Sequence, residues 1–520
     1  MPTGGEALVA ALSSAGVDVA FGLPGVHNLA AWRAFPGSGI RLIGVRHEQT
    51  AAYAADGYAR STGRLGVAIT TTGPGAANAV AATGEAWASH SPVLIIATDI
   101  PQTVRRPGVY RGALHESTDQ ASFFRSVTKA CLRVEDVDDL FAAVVHAARL
   151  CLTAPQRPVY LEIPTDLLSA QTTAAGGAPA PDRLVDPVLP PVDLSGHRPL
   201  LWAGRGARDS GDLVGQLAER LGAPVLTSYG GRGVLPPDHP HLIPLPPAAE
   251  PAGDLWDAAD VVVVLGSDLD AMNTSGFRQP QPPRLIAVGL SPQVNYVADV
   301  WLDVDVTVGL TWLLSGVDSA RDVWFDRPSD RALYGGPETD FLDAFEMALP
   351  DDVVVVADMC IPGYWYAGFG RVRAPRGLAY PVGWGTLGFA FPAALGSALS
   401  GRPTVALVGD GGFLFACGEL ATAAQERIPL TVLLVDDGGY GMLRYDFVRA
   451  GHTPVGTDLA PPDFVALAAS FRVEAEEVTV NQLSGALARH VALGTPSLIV
   501  LKAAFTPPAN SSPNWYRTGR

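Results

Sequence analysis

The sequence predicts an α/β protein of three doubly wound parallel-sheet domains, and three observations carry that expectation. Short apolar runs rich in β-branched residues alternate with helical stretches, the pattern of parallel strands joined by crossover helices. Many of these runs stop at Gly-rich turns, and ligands bind at the carboxyl ends of parallel strands. The stretch 170–193, dense in Ala, Gly and Pro, reads as a linker over the surface, and a second linker falls near 318–338. The expected domains are therefore 1–168, 190–317 and 339–505, with a tail at 506–520.

Taken in order, the first domain has strands at 17–21, 41–46, 67–72, 92–98 and 159–163. Helices are expected at 48–60 and 76–88, the second entered through Gly73-Pro74-Gly75. The middle domain has strands at 200–202, 225–226, 261–265 and 285–288. Its turn Gly204-Arg205-Gly206-Ala207 is a weak dinucleotide-like signal, and a plain tight turn is the favoured reading. The last domain starts with strand 353–357, ending at Asp358, and continues through Gly383 to Phe389 into a helix of small residues at 392–399. Strand 404–408, helix 413–426, strand 430–435 and strand 497–501 complete it. The tail carries Trp515 and Tyr516, read either as disordered or as a lid over a site.

Composition narrows the class. The chain has 520 residues, 48% of them hydrophobic, enough for several large cores. With 36 Lys and Arg against 52 Asp and Glu, the net charge of −16 argues against nucleic acid and anionic membranes as partners. No basic, then apolar, leader opens the chain, and no uncharged apolar run is long enough for a membrane span. Cys131, Cys151, Cys360 and Cys417 lack metal-ligand spacing and read as thiols of a reducing cytoplasm.

The chemistry concentrates between Thr404 and Leu443. One strand closes on Gly409-Asp410-Gly411-Gly412, and the next on Asp436-Asp437-Gly438-Gly439. Glycine turns let backbone approach a ligand, and free N–H groups at a helix start suit phosphate. A carboxylate there would repel phosphate unless a cation lay between, so Asp410 and Asp437 read as Mg²⁺ ligands. Two ordinary loops with acidic caps remain the plain alternative. The segment resembles the thiamine diphosphate (ThDP) motif, which begins Gly-Asp-Gly and normally ends Asn-Asn. The whole chain resembles the acetolactate synthase, pyruvate decarboxylase and benzaldehyde lyase group of ThDP enzymes.

That resemblance makes the first domain pyrimidine-binding and the last diphosphate-binding. It implies that Asp410, Asp437 and the Gly439 carbonyl bind the metal. Gly409, Gly411, Gly412, Tyr440, Gly441 and Met442 would complete the diphosphate site. This chain has Asp436-Asp437 where the family has Asn-Asn, which adds negative charge beside the diphosphate. Arg46-His47-Glu48-Gln49 and the helix after it match the synthase pattern closely. The resemblance makes Glu48 the carboxylate that hydrogen-bonds the pyrimidine ring and promotes ionisation of the thiazolium carbon. An acidic residue in a first helical turn is otherwise a dipole effect. Gly25 and Thr72 would line the cofactor, the Gly385 carbonyl would take its amino group, and Leu387 would be the wedge that bends it. His27 and His115 stand where synthases have other residues and lyases or decarboxylases have histidine, which implies proton relay.

The implied reaction is decarboxylation of a 2-oxo acid followed by carboligation of the resulting enamine to a second carbonyl. Plain decarboxylation or an acyloin-type lyase reaction is the near alternative. A catalytically idle binding subunit and a nucleotide-dependent oxidoreductase are the readings from other classes. Glu48 and the acidic turns lie in different domains, and in this group the cofactor bridges two subunits, so a homodimer or homotetramer is implied. Gly266-Ser267-Asp268-Leu269-Asp270 departs from the flavin-binding relatives, so FAD is not expected.

Overall fold

The structure, a computed structural model, describes residues 1–173, 188–317, 320–328 and 335–509. The Trp515–Tyr516 tail and much of the first linker lie outside the described residues. Three parallel sheets of six, five and six strands follow one another along the chain. In the first, β1 (Val19–Gly22), β2 (Arg41–Gly44), β3 (Gly66–Thr70), β4 (Val93–Asp99), β5 (Ala130–Arg133) and β6 (Val159–Pro164) lie in the order 2-1-3-4-6-5.

The middle sheet holds β7 (Pro199–Ala203), β8 (Val225–Thr227), β9 (Val261–Leu265), β10 (Leu285–Val288) and β11 (Val300–Leu302), ordered 11-10-9-7-8. The last sheet has β12 (Val354–Ala357), β13 (Leu378–Ala379), β14 (Thr404–Gly409), β15 (Thr431–Asp436), β16 (Glu474–Val478) and β17 (Ser497–Lys502). Its order, 13-12-14-15-17-16, repeats the topology of the first sheet.

Strands expected from apolar runs all appear, their ends within two residues of those expected. Four strands were not anticipated, β5, β11, β13 and β16, and each is an edge strand. Edge strands need no continuous apolar run: β16 reads Glu-Ala-Glu-Glu-Val, and β13 has two residues. Two expected helices are broken. The one at 76–88 divides into Pro74–Asn78 and Val80–Ala88. The one at 413–426 becomes Asp410–Phe413, a 3-10 turn at Cys417–Glu419 and Leu420–Glu426, because Ala416 leaves helical geometry at φ −137°.

The first and last units share one core. The helix Glu48–Thr62 lies on the helix Ala390–Ser397, with Tyr53 edge-on to Phe389 at 5.5 Å. A side chain at Gly57 would strike the Ala393 carbonyl, and one at Gly396 the Ala54 carbonyl. Glycine at both places lets the two backbones touch. Arg60 sits in this seam, paired with Asp56 and Glu85 and with its guanidinium over Phe389 at 4.8 Å. The middle and last units share a second core that includes Trp202, Trp256, Phe341 and Tyr366. Among the described residues no helix is long and apolar enough to cross a membrane.

Candidate active site

Both six-stranded sheets change direction of winding between their first and third strands, and ligands sit at such switch points. In the last unit the crevice opens between the ends of β12 and β14. Register makes neighbours of the two acidic turns: Gly409 pairs with Val435, so Asp410 and Asp437 leave adjacent strands almost level. Asp410 is 1% exposed, and neither of its carboxylate oxygens has a hydrogen-bond partner. Asp437 Oδ1 is likewise buried without a partner. Burial, and then the charge of Asp437, push the Asp410 carboxyl up to about 6. Burial also raises Asp437, against the opposing Arg444 guanidinium.

The turn around them is shaped by glycine. Gly439 has φ +150° and no room for a side chain beside the Thr457 carbonyl. A side chain at Gly441 would strike the Asp437 carboxylate. The Gly439 carbonyl faces the Gly411 turn, lying 3.3 Å from where a Cβ on Gly411 would stand, and the Tyr440 ring covers the same glycine. Arg444 fixes the loop, donating to the carbonyls of Asp437 and Gly438 at 3.2 Å each and pairing with Asp458 at 2.8 Å. Met442 comes next on the helix Gly441–Arg449, half-buried.

Asp358, at the end of β12, completes the crevice and had no assigned role from sequence. Its Oδ1 accepts from the N–H groups of Phe389 and Ala390 at 2.9 and 2.8 Å. Its Oδ2 is buried without a partner and would lie 2.7 Å from a Cβ on Gly412. Burial raises this carboxyl to about 7. The bonds anchor the loop that precedes them, where Gly385 has φ +67° and Leu387 is 37% exposed. An apolar side chain presented outward from a pinned loop is available to a ligand rather than to the core.

The first unit brings the other candidates together. Gly22 pairs with Gly44 and with Ile69, so the loops after β1, β2 and β3 leave side by side. Glu48, 6% exposed, opens its helix. Its Oε2 accepts from Asn78 Nδ2 at 2.9 Å, and Oε1 faces Gly75. Gly25 packs against Thr71 with no room for a side chain and donates its N–H to Asn28 Oδ1 at 2.8 Å. Thr72 is fully buried and bonds Thr98. Gln120, missed by sequence reading, accepts from the Gly73 N–H and donates to Thr98, Tyr160 and Glu162.

His27 and His115 meet edge-to-face with ring centroids 5.2 Å apart, and each Nδ1 is buried without a partner. Burial, reinforced by His115, lowers the proton affinity of His27. His115 is held at φ +65°, a left-handed conformation that costs a non-glycine residue and tends to occur at functional sites. The Glu48 carboxylate bonds within its own unit, and Arg444 fixes the acidic turn within the other.

Sequence comparison identifies the class of protein that carries these two crevices. The N-terminal TPP binding domain of the thiamine pyrophosphate enzymes matches residues 2–123, the central domain 194–303 and the C-terminal TPP binding domain 360–501. The chain belongs to this family and is a ThDP-dependent enzyme of the acetolactate synthase-like group. A probable 2-ketoarginine decarboxylase of Pseudomonas aeruginosa is 35% identical, over 90% of this chain and 88% of its own. An acetolactate synthase of Mycobacterium bovis is 30% identical, over 94% and 86%. A probable acetolactate synthase large subunit of Methanocaldococcus jannaschii is 28% identical, over 91% and 87%.

The residues present fit the cofactor. Buried carboxylate oxygens without partners are costly, and a cation would satisfy them. Among the described residues no group of three or more His, Cys, Asp or Glu forms a metal cage. Two carboxylates and a carbonyl suit a hard cation that takes its remaining ligands from a diphosphate.

Proposed function

We propose that the protein decarboxylates a 2-oxo acid, using ThDP and Mg²⁺ held by the C-terminal unit of one copy against the N-terminal unit of another. The observation that supports this most is the set of orphaned oxygens on Asp410 and Asp437 beside the Gly439 carbonyl. In this reading those three ligate Mg²⁺, and the backbone of Gly409, Gly411, Gly412 and Gly441 leaves room for the diphosphate. Tyr440, Met442, Gly385 and Leu387 shape the space above it, and Gly25 and Thr72 line the pyrimidine side. When bound, ThDP supplies a nucleophilic carbon that adds to the substrate carbonyl and takes up the electron pair left as CO₂ departs. Glu48 holds a proton at the pyrimidine ring, shielded from water by its burial. FAD has no part in the proposal.

His27 and His115 decide how the reaction ends. Two imidazoles packed edge-to-face in a half-buried pair can deliver a proton to the product carbon, which releases an aldehyde. This favours plain decarboxylation, in line with the Pseudomonas relative, and exchanges the order of the two readings drawn from sequence. Carboligation to a second carbonyl is the second reading, supported by the synthase-like Glu48 segment. Exposed Trp384, Leu387, Phe415 and Leu443 border the C-terminal crevice and support a homodimer or homotetramer whose interface covers them. The protein is expected to be cytoplasmic.

The test is product analysis with ThDP and Mg²⁺ on pyruvate, phenylpyruvate and 2-ketoarginine. Stoichiometric CO₂ and aldehyde support plain decarboxylation. CO₂ with a hydroxyketone supports carboligation. No ThDP-dependent CO₂ release from any of the three would count against the proposal.

A further inference from the structure

We propose that Glu419 is a positioning residue for Glu48, a carboxylate of the C-terminal unit that fixes the backbone from which Glu48 projects in the N-terminal unit of the same chain. The inference rests on the reading of Glu48 as the carboxylate that serves the cofactor.

Glu419 is 2% exposed and stands at the head of the helix Leu420–Glu426. An acidic side chain in that place ordinarily takes the free N–H groups of its own helix. Here it makes no such cap. It crosses instead to the other unit, where Oε1 accepts from the N–H of Arg46 at 3.0 Å and of His47 at 3.1 Å. Oε2 accepts from Arg46 N–H at 3.2 Å and from the Thr422 hydroxyl. Both peptide N–H groups that precede Glu48 therefore end on one carboxylate from a different domain.

Two more bonds close the same seam: Arg46 Nη2 donates to Gln425 Oε1 at 2.7 Å, and Arg41 Nη2 to the Glu426 carbonyl at 2.8 Å. His47 in turn caps the helix, its Nδ1 accepting from Gln49 N–H at 3.2 Å. Burial raises the Glu419 carboxyl, while Thr422 and the Arg46 N–H oppose that rise. Glu48 is thus held from two sides, its carboxylate by Asn78 and the two peptides before it by Glu419. Glu419 touches neither substrate nor cofactor in this account. It acts through the direction in which Glu48 leaves the backbone, and small misplacements of a reacting group reduce rate steeply.

The experiment compares holoenzyme carrying Glu419→Ala, Glu419→Gln, Glu48→Gln and the double substitution Glu48→Gln/Glu419→Ala. Turnover is measured on whichever of pyruvate, phenylpyruvate and 2-ketoarginine the unaltered enzyme uses best, alongside ThDP calorimetry and amide hydrogen exchange. Glu419→Ala should lower kcat by on the order of 10²-fold while KM and ThDP affinity stay within a few-fold. Exchange at the amides of Arg46 and His47 should quicken while the interior of the helix Glu48–Thr62 stays protected. Glu419→Gln keeps an acceptor oxygen and should recover most of the rate. The double variant should be no slower than Glu48→Gln, the non-additivity expected of residues acting as one.

A Glu419→Ala enzyme with full kcat, or losses that multiply in the double variant, would overturn the inference while leaving Glu48's role intact. So would a lowered melting temperature with unchanged exchange at residues 46 and 47, the mark of a merely structural stitch. Full turnover by Glu48→Gln would instead remove the reading on which the inference stands.

Discussion

The first and last sheets have the same strand order, yet their switch-point crevices are finished in opposite ways. In the N-terminal crevice the carboxylate is matched internally, Glu48 by Asn78, as are the Gly73 N–H by Gln120 and Thr72 by Thr98, and the unmatched atoms include the Thr71 hydroxyl and the Nδ1 atoms of His27 and His115. In the C-terminal crevice the carboxylates are the unmatched groups, with both oxygens of Asp410 and one each of Asp437 and Asp358 buried without a partner. One topology can therefore hold a half whose carboxylate is hydrogen-bonded and a half whose carboxylates lack hydrogen-bond partners. Fold alone did not decide that difference, and a few strand-end residues did. The first half suits an uncharged ring, and the second suits a cation carrying a diphosphate.

If the halves divide the labour in this way, substitutions in them should fail differently. Glu48→Gln should lower kcat by roughly 10²- to 10⁴-fold, the usual span for a proton-transfer group. ThDP affinity, measured by calorimetry, should change only a few-fold. Asp410→Ala should instead abolish the metal dependence of ThDP binding and weaken it by on the order of 10²-fold or more, beyond the effect of losing an outer-shell partner. Equal effects of both substitutions on affinity would break the comparison.

A third substitution sharpens it within the C-terminal half. The folded protein holds the Asp358 carboxyl at about 7, against 3.8 for an ordinary aspartate. A carboxyl raised on folding binds its proton more tightly in the native state, so stability is full near pH 4 and falls as pH climbs to 7. A rise of about 3 units corresponds to about 4 kcal/mol. Asp358→Asn keeps the acceptor for Phe389 and Ala390 but cannot ionise. In cofactor-free protein its melting temperature relative to the unaltered chain should climb between pH 4 and 7, and a flat difference would contradict the assignment.

The share of this that was legible beforehand depends on the range of the interactions behind each feature. Interior strands announce themselves by apolar runs, so the three-sheet architecture could be read directly, and the acidic glycine turns stood out by composition. An edge strand such as Glu474–Val478 could not be read so, because only one of its five residues is buried. Glu48 and Leu387 were visible only through family resemblance, since an acidic first-turn residue and an apolar loop residue are commonplace. Asp358, Gln120 and Glu419 were missed altogether. Their roles come from partners 31, 47 and 373 residues away, separations that no local pattern records. The expected 413–426 helix hid Glu419 in particular, because an unbroken helix would have turned it into an ordinary helical residue.

The most direct test of the central claim is calorimetric titration of ThDP into the protein with Mg²⁺ and again after chelation. The account predicts saturable binding with Mg²⁺ that collapses without it, because the carboxylates of Asp410 and Asp437 then face a diphosphate with no cation between them. Equally tight binding in chelator would contradict it and would mean that the acidic turns do not hold a metal-bound diphosphate.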